Sequence, residues 1–295
     1  MTQKKARVLV FLTATVLTAT VICWPIPAET GPPLTPAFKV RIHRNVPYYT
    51  GEDASRSKHR LDVYQPVGKK DATVLFFVHG GAWQFGSKTF RTNIGRTFAG
   101  QGILTVSINY RLSPGVKHPA HIRDVVRAFD WVKRNVHEYG GNPDDLFACG
   151  HSAGGHLVAL LALNERYLAE VGRTSQEILG VIPISGVYRV GGTSLVFKNV
   201  FDDDPEVLKD ASPAMHVDDR QPPFLILYAD NDLPGLDILA IGLEEQLKQH
   251  HSPVRLLRVD DRTHLSITRR IGAQDDPATQ AILEFIDEHA RATKR

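Results

Sequence analysis

Short runs of consecutive apolar residues recur along this 295-residue chain, and they constrain its fold more than any other feature. A strand that is buried on both faces needs such an uninterrupted run, and strands of this kind belong to parallel sheets covered by helices. Val74–Val78 is such a run, and five further segments resemble it: Ile103–Ile108, Leu146–Ala148, Ile178–Ile184, Phe224–Tyr228 and Val254–Val259. The chain is therefore predicted to build a mostly parallel central sheet.

Amphipathic segments separate these runs. Within Pro119–Glu138, apolar side chains recur at spacings of three and four, which predicts a helix with one buried face. Near the carboxyl end, Asp276 is predicted to cap a helix that Pro277 opens. The alternation of strand and helix predicts an α/β domain with helices on both faces of the sheet. Two earlier stretches, Phe38–Val46 and Leu61–Gln65, predict an antiparallel lead-in.

Residues 1–28 are predicted to be an export signal. A basic stretch at residues 4–7 precedes an uncharged run, Val8–Trp24, which a helix-breaking Pro25–Pro27 segment ends. At about 1.5 Å per residue, a helix over this run is slightly shorter than a bilayer core. Cleavage after Ala28 is expected, which would place the protein in the periplasm or the medium. The alternative is an uncleaved anchor, and only then would residues 8–24 contact a membrane.

Charge and cysteine content exclude two classes of protein. Lys and Arg total 35 against 32 for Asp and Glu, and the excess of three lies before the first acid, Glu29. Residues 29–295 are thus neutral and lack the concentrated basic face that a nucleic-acid partner requires. Two cysteines, Cys23 and Cys149, cannot build a disulfide scaffold. Residues 29–295 are predicted to form a single domain, with no metal or cofactor.

A Gly-x-Ser-x-Gly motif lies between the strand that ends at Ala148 and an apolar helix. In this setting the motif predicts a nucleophile elbow, a turn so tight that the residues two before and two after the serine must be small. Gly150 and Gly154 meet this requirement. Ser152 is therefore predicted to be a nucleophile at the carboxyl end of the sheet.

A second motif, His79–Trp83, directly follows the Val74–Val78 strand and reads His-Gly-Gly-Ala-Trp. Acyl transfer develops negative charge on a carbonyl oxygen, and backbone amides that point at this oxygen stabilise it. Glycine lets the backbone approach closely enough to do so. Gly81 and Ala82 are predicted to donate from this loop, and Ala153 from the start of the elbow helix.

A serine nucleophile needs an imidazole to take its proton and a carboxylate to orient that imidazole. His264 follows the Val254–Val259 strand and is the predicted base. Asp232 follows the Phe224–Tyr228 strand and is the preferred acid, with Asp230 as the alternative. The order serine, aspartate, histidine along the chain is the order of a nucleophile-elbow fold.

Two further groups of residues are given structural interpretations. His79 and His151 are expected to brace loops through hydrogen bonds rather than to transfer protons. His118, His121 and Asp124 are expected to cap the helix that begins near them.

Residues Val187–Asp219, called the insertion below, connect two predicted strands and show no clear periodicity of apolar residues. Long irregular insertions in compact domains often act as lids, and the alternative is a surface loop that contains a helix or two.

These motifs together resemble those of α/β-hydrolase-fold esterases and lipases, in the carboxylesterase branch near hormone-sensitive-lipase-like, feruloyl and acetyl-xylan esterases and kynurenine formamidase. The resemblance runs from about residue 40 to the carboxyl end. It also includes Asn109–Ser113, His118–Ala120 and Tyr139–Pro143. It implies that Ser152 is acylated by an ester, that His264 with Asp232 serves both half-reactions, and that no cofactor takes part.

The leading functional prediction is a serine carboxylesterase that hydrolyses small to medium acyl esters through an acyl-enzyme intermediate. Its substrate would be a small ester molecule. One alternative keeps the same residues but cleaves an amide, as an aryl formamidase does. Another alternative is a hydrolase-fold binding module without catalytic activity.

Overall fold

The computed structural model of the protein describes residues 32–191 and 195–292. The predicted export signal, residues 1–28, lies outside the described residues. The described part of the chain forms one eight-stranded sheet. Its strands are β1 (Val40–Pro47), β2 (Arg60–Pro66), β3 (Ala72–Val78), β4 (Leu104–Ile108), β5 (Gly141–His151), β6 (Gly180–Ile184), β7 (Phe224–Asn231) and β8 (Val254–Thr263).

The α-helices within the described residues occupy most of the connections between strands. They are α1 (Thr92–Gly100), α2 (Ala120–Asn135), α3 (Ala153–Leu163), α4 (Arg166–Ala169), α5 (Leu195–Phe201), α6 (Pro205–Asp210), α7 (Leu236–Gln249), α8 (Ser266–Arg269) and α9 (Pro277–Ala292). Single 3-10 turns cover Val136–Tyr139, Ser175–Glu177 and Pro213–Met215. Within residues 32–191 and 195–292, none of the helices combines the length and the apolar character needed to cross a bilayer.

The strand order across the sheet is β1-β2-β4-β3-β5-β6-β7-β8. β1 pairs antiparallel with β2, and β2 pairs antiparallel with β4, whereas β4, β3 and β5 to β8 are parallel. The predicted antiparallel lead-in and mostly parallel sheet are therefore confirmed. β5 is longer than its predicted apolar run because its backbone pairing continues to Gly141, beyond the buried centre.

Helices cover both faces of the sheet, as predicted. On one face, α2, α3 and α7 pack against alternate strand residues, and the rings of Phe76 and Phe129 meet edge to face at 6.1 Å. On the other face, α1 and α9 pack against the remaining strand residues, and the rings of Phe147 and Phe285 meet edge to face at 6.2 Å. Because the central strands are buried on both sides, their sequences are predominantly apolar.

The carboxyl ends of the parallel strands share one edge of the sheet, and the segments that carry the predicted site residues all begin there. These segments follow β3, β5, β7 and β8. Open α/β sheets bind their ligands at this edge, outside the carboxyl ends of the strands. The topology therefore places the candidate residues from four distant parts of the chain side by side.

The described part of the insertion contains α5, α6 and the Pro213–Met215 turn. Phe201 is buried and meets the ring of Trp83 edge to face at 4.9 Å. Asp210 accepts a hydrogen bond from His118 at 2.7 Å. The insertion thus packs against the body of the domain, and its role as a lid stays a prediction.

The predicted capping by His118, His121 and Asp124 is wrong. α2 begins after Pro119, and no side chain bonds to its first amides. His118 instead bonds to Asp210, and His121 lies 3.1 Å from the hydroxyl of Ser113. Asp124 lies more than a turn inside the helix, too far from its start to cap it.

The predicted cap of α9, by contrast, is confirmed. The amide and the hydroxyl of Thr279 both donate to Oδ2 of Asp276, at 2.9 and 2.7 Å. Pro277 is the first residue of the helix, where the missing amide proton costs no hydrogen bond.

Asp124 is the centre of a buried ionic cluster that joins the segment after β4 to α2. The carboxylate is fully buried and accepts hydrogen bonds from Nη2 of Arg111 at 2.7 Å and from the Arg111 amide at 2.9 Å. Nε2 of His59 lies 3.0 Å away. Burial alone would raise the pKa of this carboxyl, but its bonds to His59 and Arg111 outweigh burial and lower the pKa below its ordinary value.

Removing this carboxylate should destabilise the protein strongly. We expect Asp124→Ala to lower the free energy of unfolding by about 3 to 5 kcal/mol, because the guanidinium and imidazole lose their buried partner. Asp53→Ala is the matched control: its half-exposed carboxylate also pairs with Arg111, and its loss should cost less than about 1 kcal/mol. Urea unfolding measures both, and equal losses would contradict the assignment.

Candidate active site

Ser152 lies at the tight turn between β5 and α3, with φ 57° and ψ −119°. The turn leaves no room beside the serine. A Cβ at Gly150 would lie 2.3 Å from the carbonyl oxygen of Gly154, and a Cβ at Gly154 would lie 2.0 Å from that of Val78. Glycine at these two positions therefore lets the start of α3 lie directly against the end of β3, which is the elbow geometry that the motif predicts.

The three residues of the predicted triad form a continuous line of hydrogen bonds. Nε2 of His264 is 2.9 Å from Oγ of Ser152, and Nδ1 is 2.6 Å from Oδ1 of Asp232. The side chains of His264 and Asp232 are 13% and 3% exposed. In this shielded setting each hydrogen bond is stronger than it would be in water.

Several donors hold the Asp232 carboxylate. Oδ2 accepts from Oγ of Ser185 at 2.5 Å and from the amide of Ala229 at 3.1 Å, and Oδ1 accepts from the amide of Leu233 at 2.8 Å. Burial alone would raise the pKa of this carboxyl. The hydrogen bonds outweigh burial, so the pKa lies below its ordinary value and the group stays ionised.

The alternative acid, Asp230, faces elsewhere. Its exposed carboxylate accepts the amides of Arg262 at 2.8 Å and Asn231 at 3.0 Å. The structure thus brings Asp232, and not Asp230, to the imidazole of His264.

Ser185 is a residue of the site that the sequence interpretation missed. It directly follows β6, is buried, and has φ 50°. Its position could have identified it as a candidate, because the neighbouring strands β5 and β7 are each followed by a predicted site residue, Ser152 and Asp232. A serine there resembles many other polar residues at strand ends, so only the contact with Asp232 identifies its role.

The glycine loop (His79–Trp83) lies beside Ser152. A Cβ at Gly80 would lie 3.0 Å from Cβ of Ser152. Gly81, Ala82 and Trp83 follow with φ of 122°, 52° and 58°. Among the hydrogen bonds of the described residues, none uses the amide of Gly81 or Ala82 as its donor.

Ala153 is the first residue of α3, where an amide has no acceptor within the helix. Of the three predicted amide donors, that of Ala153 directly follows the serine, and those of Gly81 and Ala82 belong to the loop whose Gly80 lies beside it. The positive end of the helix dipole adds to the field that they create.

A layer of contacts fixes the glycine loop from behind. The ring of His79 stacks on Tyr110 at 4.6 Å, and the Tyr110 hydroxyl donates to the carbonyl oxygen of His79 at 3.1 Å. The amide of Ser113 donates to the carbonyl oxygen of Trp83 at 2.9 Å. Burial lowers the pKa of His79 to about 4, so this ring is neutral near pH 7 and braces the loop without carrying charge.

These groups together can perform acyl transfer. A hydroxyl hydrogen-bonded to an imidazole can lose its proton as it attacks, and unpaired amides can bind the oxyanion that forms. Within the described residues, no group of three or more His, Cys, Asp or Glu side chains is placed to hold a metal ion.

Comparison with known proteins places the chain in a family. The BD-FAE family model matches residues 61–234, more than half of the chain. Esterase LipC of Mycobacterium tuberculosis is 32% identical over 292 aligned positions, covering 91% of this chain and 71% of LipC. The probable carboxylic ester hydrolase LipM of the same organism is 33% identical, covering 79% of this chain and 59% of LipM. The chain thus spans about three fifths to seven tenths of the length of these relatives.

Solved structures share the fold. A truncated carbohydrate esterase from gut microbiota superposes with a TM-score of 0.73 at 22% identity, covering 89% of this chain and all of that chain. Esterase B from Lactobacillus rhamnosis superposes with a TM-score of 0.74 at 20% identity, covering 86% and 87%. The predicted α/β-hydrolase fold and the predicted resemblance are both confirmed. This chain belongs to the BD-FAE family of α/β-hydrolase esterases.

Proposed function

We propose that this protein is a serine carboxylesterase that hydrolyses small to medium acyl esters through an acyl-enzyme intermediate. The observation that carries the proposal is the line of hydrogen bonds from Ser152 through His264 to Asp232, with spacings of 2.9 and 2.6 Å. This line of hydrogen bonds lies beside the glycine loop, whose Gly81 and Ala82 amides donate to no other group among the described residues. This combination is the minimum that acyl transfer to a serine requires.

In the first half-reaction, Oγ of Ser152 attacks the ester carbonyl carbon while Nε2 of His264 takes the hydroxyl proton. The carbonyl electron pair moves onto oxygen, and the amides of Gly81, Ala82 and Ala153 bind this oxyanion. When the tetrahedral intermediate collapses, the bond to the alcohol oxygen breaks and His264 protonates the leaving alcohol. Ser152 is left acylated.

In the second half-reaction, water replaces the alcohol. His264 takes a proton from water as the oxygen attacks the acyl carbon, and it returns that proton to Oγ of Ser152 when the acid leaves. Asp232 stays ionised and accepts a hydrogen bond from the Nδ1–H group of His264 throughout. This bond holds the imidazole in the tautomer whose Nε2 faces the serine and stabilises the transient imidazolium.

We propose an ester rather than an amide as the scissile group, because the relatives reported above bear ester-hydrolase names. The aryl formamidase alternative uses the same residues and finds no separate support. The non-catalytic binding module is disfavoured by the close spacing of Ser152, His264 and Asp232, since a module without activity has no need to keep it.

We also propose that residues 1–28 direct export and are removed after Ala28. The uncharged run Val8–Trp24 and the basic residues ahead of it support this proposal.

Replacing the proposed nucleophile should abolish ester hydrolysis. We expect Ser152→Ala to lower kcat on p-nitrophenyl acetate and butyrate by about 10⁴- to 10⁶-fold, because the triad acts as a unit. Wild-type activity on N-formylkynurenine should be far lower than on the esters. Ester activity that survives the substitution would refute the serine mechanism, and a preference for the formamide would refute the carboxylesterase assignment.

The two acids should behave differently. Asp232→Asn should lower kcat by about 10⁴-fold, since an amide cannot hold the required imidazole tautomer or stabilise its charged form. Asp230→Asn is the matched control and should leave kcat within about twofold of wild type, as for an ordinary surface substitution. The reverse pattern would make Asp230 the acid.

The amino terminus of the exported protein tests the proposed cleavage. After expression of the full chain in a secreting bacterial host, intact mass and terminal sequencing should identify Glu29 as the first residue. Ala28→Leu should block processing, because the residue before the cleavage site must be small. A wild-type protein that retains residues 1–28 in the membrane fraction would instead establish the uncleaved anchor.

A further inference from the structure

We propose that two buried histidines beside the nucleophile, His151 and His156, are positioning residues: His151 holds the segment that carries His264, and His156 holds the glycine loop. This inference rests on the proposed function of Ser152. Neither histidine contacts the reacting atoms, so each would act through the group that it holds. The two residues lie one before and four after the serine, on either side of the turn from β5 to α3.

His151 connects the nucleophile turn directly to the proposed base. Its Nε2 lies 2.8 Å from the carbonyl oxygen of His264, and the two rings lie 4.7 Å apart. A carbonyl oxygen can only accept, so Nε2 of His151 carries the proton and donates it. Because His151 is next to Ser152 in the chain, this one bond fixes the His264 backbone relative to the serine.

His151 can hold that bond only as a neutral ring, and its surroundings keep it neutral. The residue is 4% exposed, and burial lowers its pKa to about 3. The nearby His264 and Arg91 act in the same direction, whereas Asp232 and the bond to the His264 carbonyl oppose it. The donor therefore keeps one tautomer at neutral pH, and no buried charge competes with the transient imidazolium of His264.

His156 connects α3 to the glycine loop. The indole Nε1 of Trp83 donates to Nδ1 of His156 at 3.1 Å, and Nε2 of His156 donates to the carbonyl oxygen of Ala211 at 2.7 Å. His156 is fully buried, and burial lowers its pKa to about 3. A neutral ring with its proton on Nε2 satisfies both bonds at once, and no other tautomer does.

The hydrogen bond that Trp83 donates to His156 stabilises a strained backbone segment, Ala82–Trp83. Ala82 and Trp83 both adopt left-handed φ, which is unfavourable for a residue that carries a side chain. Such a conformation persists only where surrounding contacts impose it. The indole is 3% exposed and packs at 5.1 Å against the His156 ring, so His156 supplies both a polar and an apolar contact that keep the Ala82 amide in place.

The same pair of substitutions at both positions separates the two roles. Gln carries its amide nitrogen as many bonds from Cα as Nε2 of His, whereas Asn carries its amide oxygen as many bonds from Cα as Nδ1. Gln therefore keeps the donor that His151 needs, and Asn keeps the acceptor that His156 offers to Trp83. If the two histidines only stabilised the fold, the variant with the higher kcat would not change from Gln at position 151 to Asn at position 156.

We expect His151→Asn to lower kcat by about 10- to 100-fold with little change in KM, because a misplaced base slows the chemical step rather than binding. His151→Gln should stay within about threefold of wild type. At the other site the order should reverse, with His156→Gln impaired and His156→Asn close to wild type. Trp83→Phe, which removes only the indole donor, should match His156→Gln.

Controls keep the outcome unambiguous. His43→Asn and His43→Gln, on the edge strand β1, should leave kcat unchanged, and thermal unfolding of every variant corrects for loss of folded protein. Equal kcat values for Asn and Gln at a site would overturn the positioning role there. If Ser152→Ala abolishes hydrolysis while all four variants match wild type, this inference fails and the proposed function stands.

A measurement on the unmodified protein applies even where a variant does not fold. In ¹⁵N-histidine NMR spectra of the wild type, assigned with the variants that fold and with the neighbouring backbone signals, His151 and His156 should both be neutral Nε2–H tautomers from about pH 5 to about pH 8. Protonation of either ring in this range, or a proton on Nδ1, would overturn the inference for that residue.

Discussion

The site depends on one close contact between backbones, that of the first turn of α3 with the end of β3. Gly154 leaves only 2.0 Å between the position of a Cβ and the carbonyl oxygen of Val78, so any side chain there would push the helix away from the sheet. The contact brings Ser152 and the amide of Ala153 alongside the loop that leaves β3. Without it, the nucleophile and the amides of the glycine loop would belong to separate surfaces.

Parallel strands supply the rest of the arrangement, because every segment that leaves a carboxyl end starts at the same edge. The site residues therefore come from the first residues of each segment that follows a strand, and the rest of the segment contributes little to their placement. Ser185, Asp232 and His264 each directly follow the last residue of a strand. Positional precision comes from the ladder of backbone hydrogen bonds, which is stiffer than any surface loop.

Much of this was predictable from the sequence, and the failures have identifiable physical causes. Apolar runs predicted the strands, because a strand that is buried on both faces must be mainly apolar. The nucleophile-elbow motif predicted that the acid and the base follow Ser152 in the chain, in the order Asp232 and His264. Asp232 was the preferred acid, but the sequence left Asp230 open as the alternative, because residues two apart can both reach the same edge. Capping by Asp124 was wrongly predicted because its partner, Arg111, belongs to another segment. Pairings between distant segments leave no local pattern in the chain.

The strand order has a consequence for how activity is lost. β8, which delivers His264, is the last strand of the sheet and pairs with β7 alone, and many of its side chains are exposed. Native proteins open locally, and opening costs least where few contacts must break. Fraying of this border strand would separate the imidazole from the hydroxyl while β3 to β6 stay intact. We therefore expect inactivation by heat or denaturant to precede global unfolding.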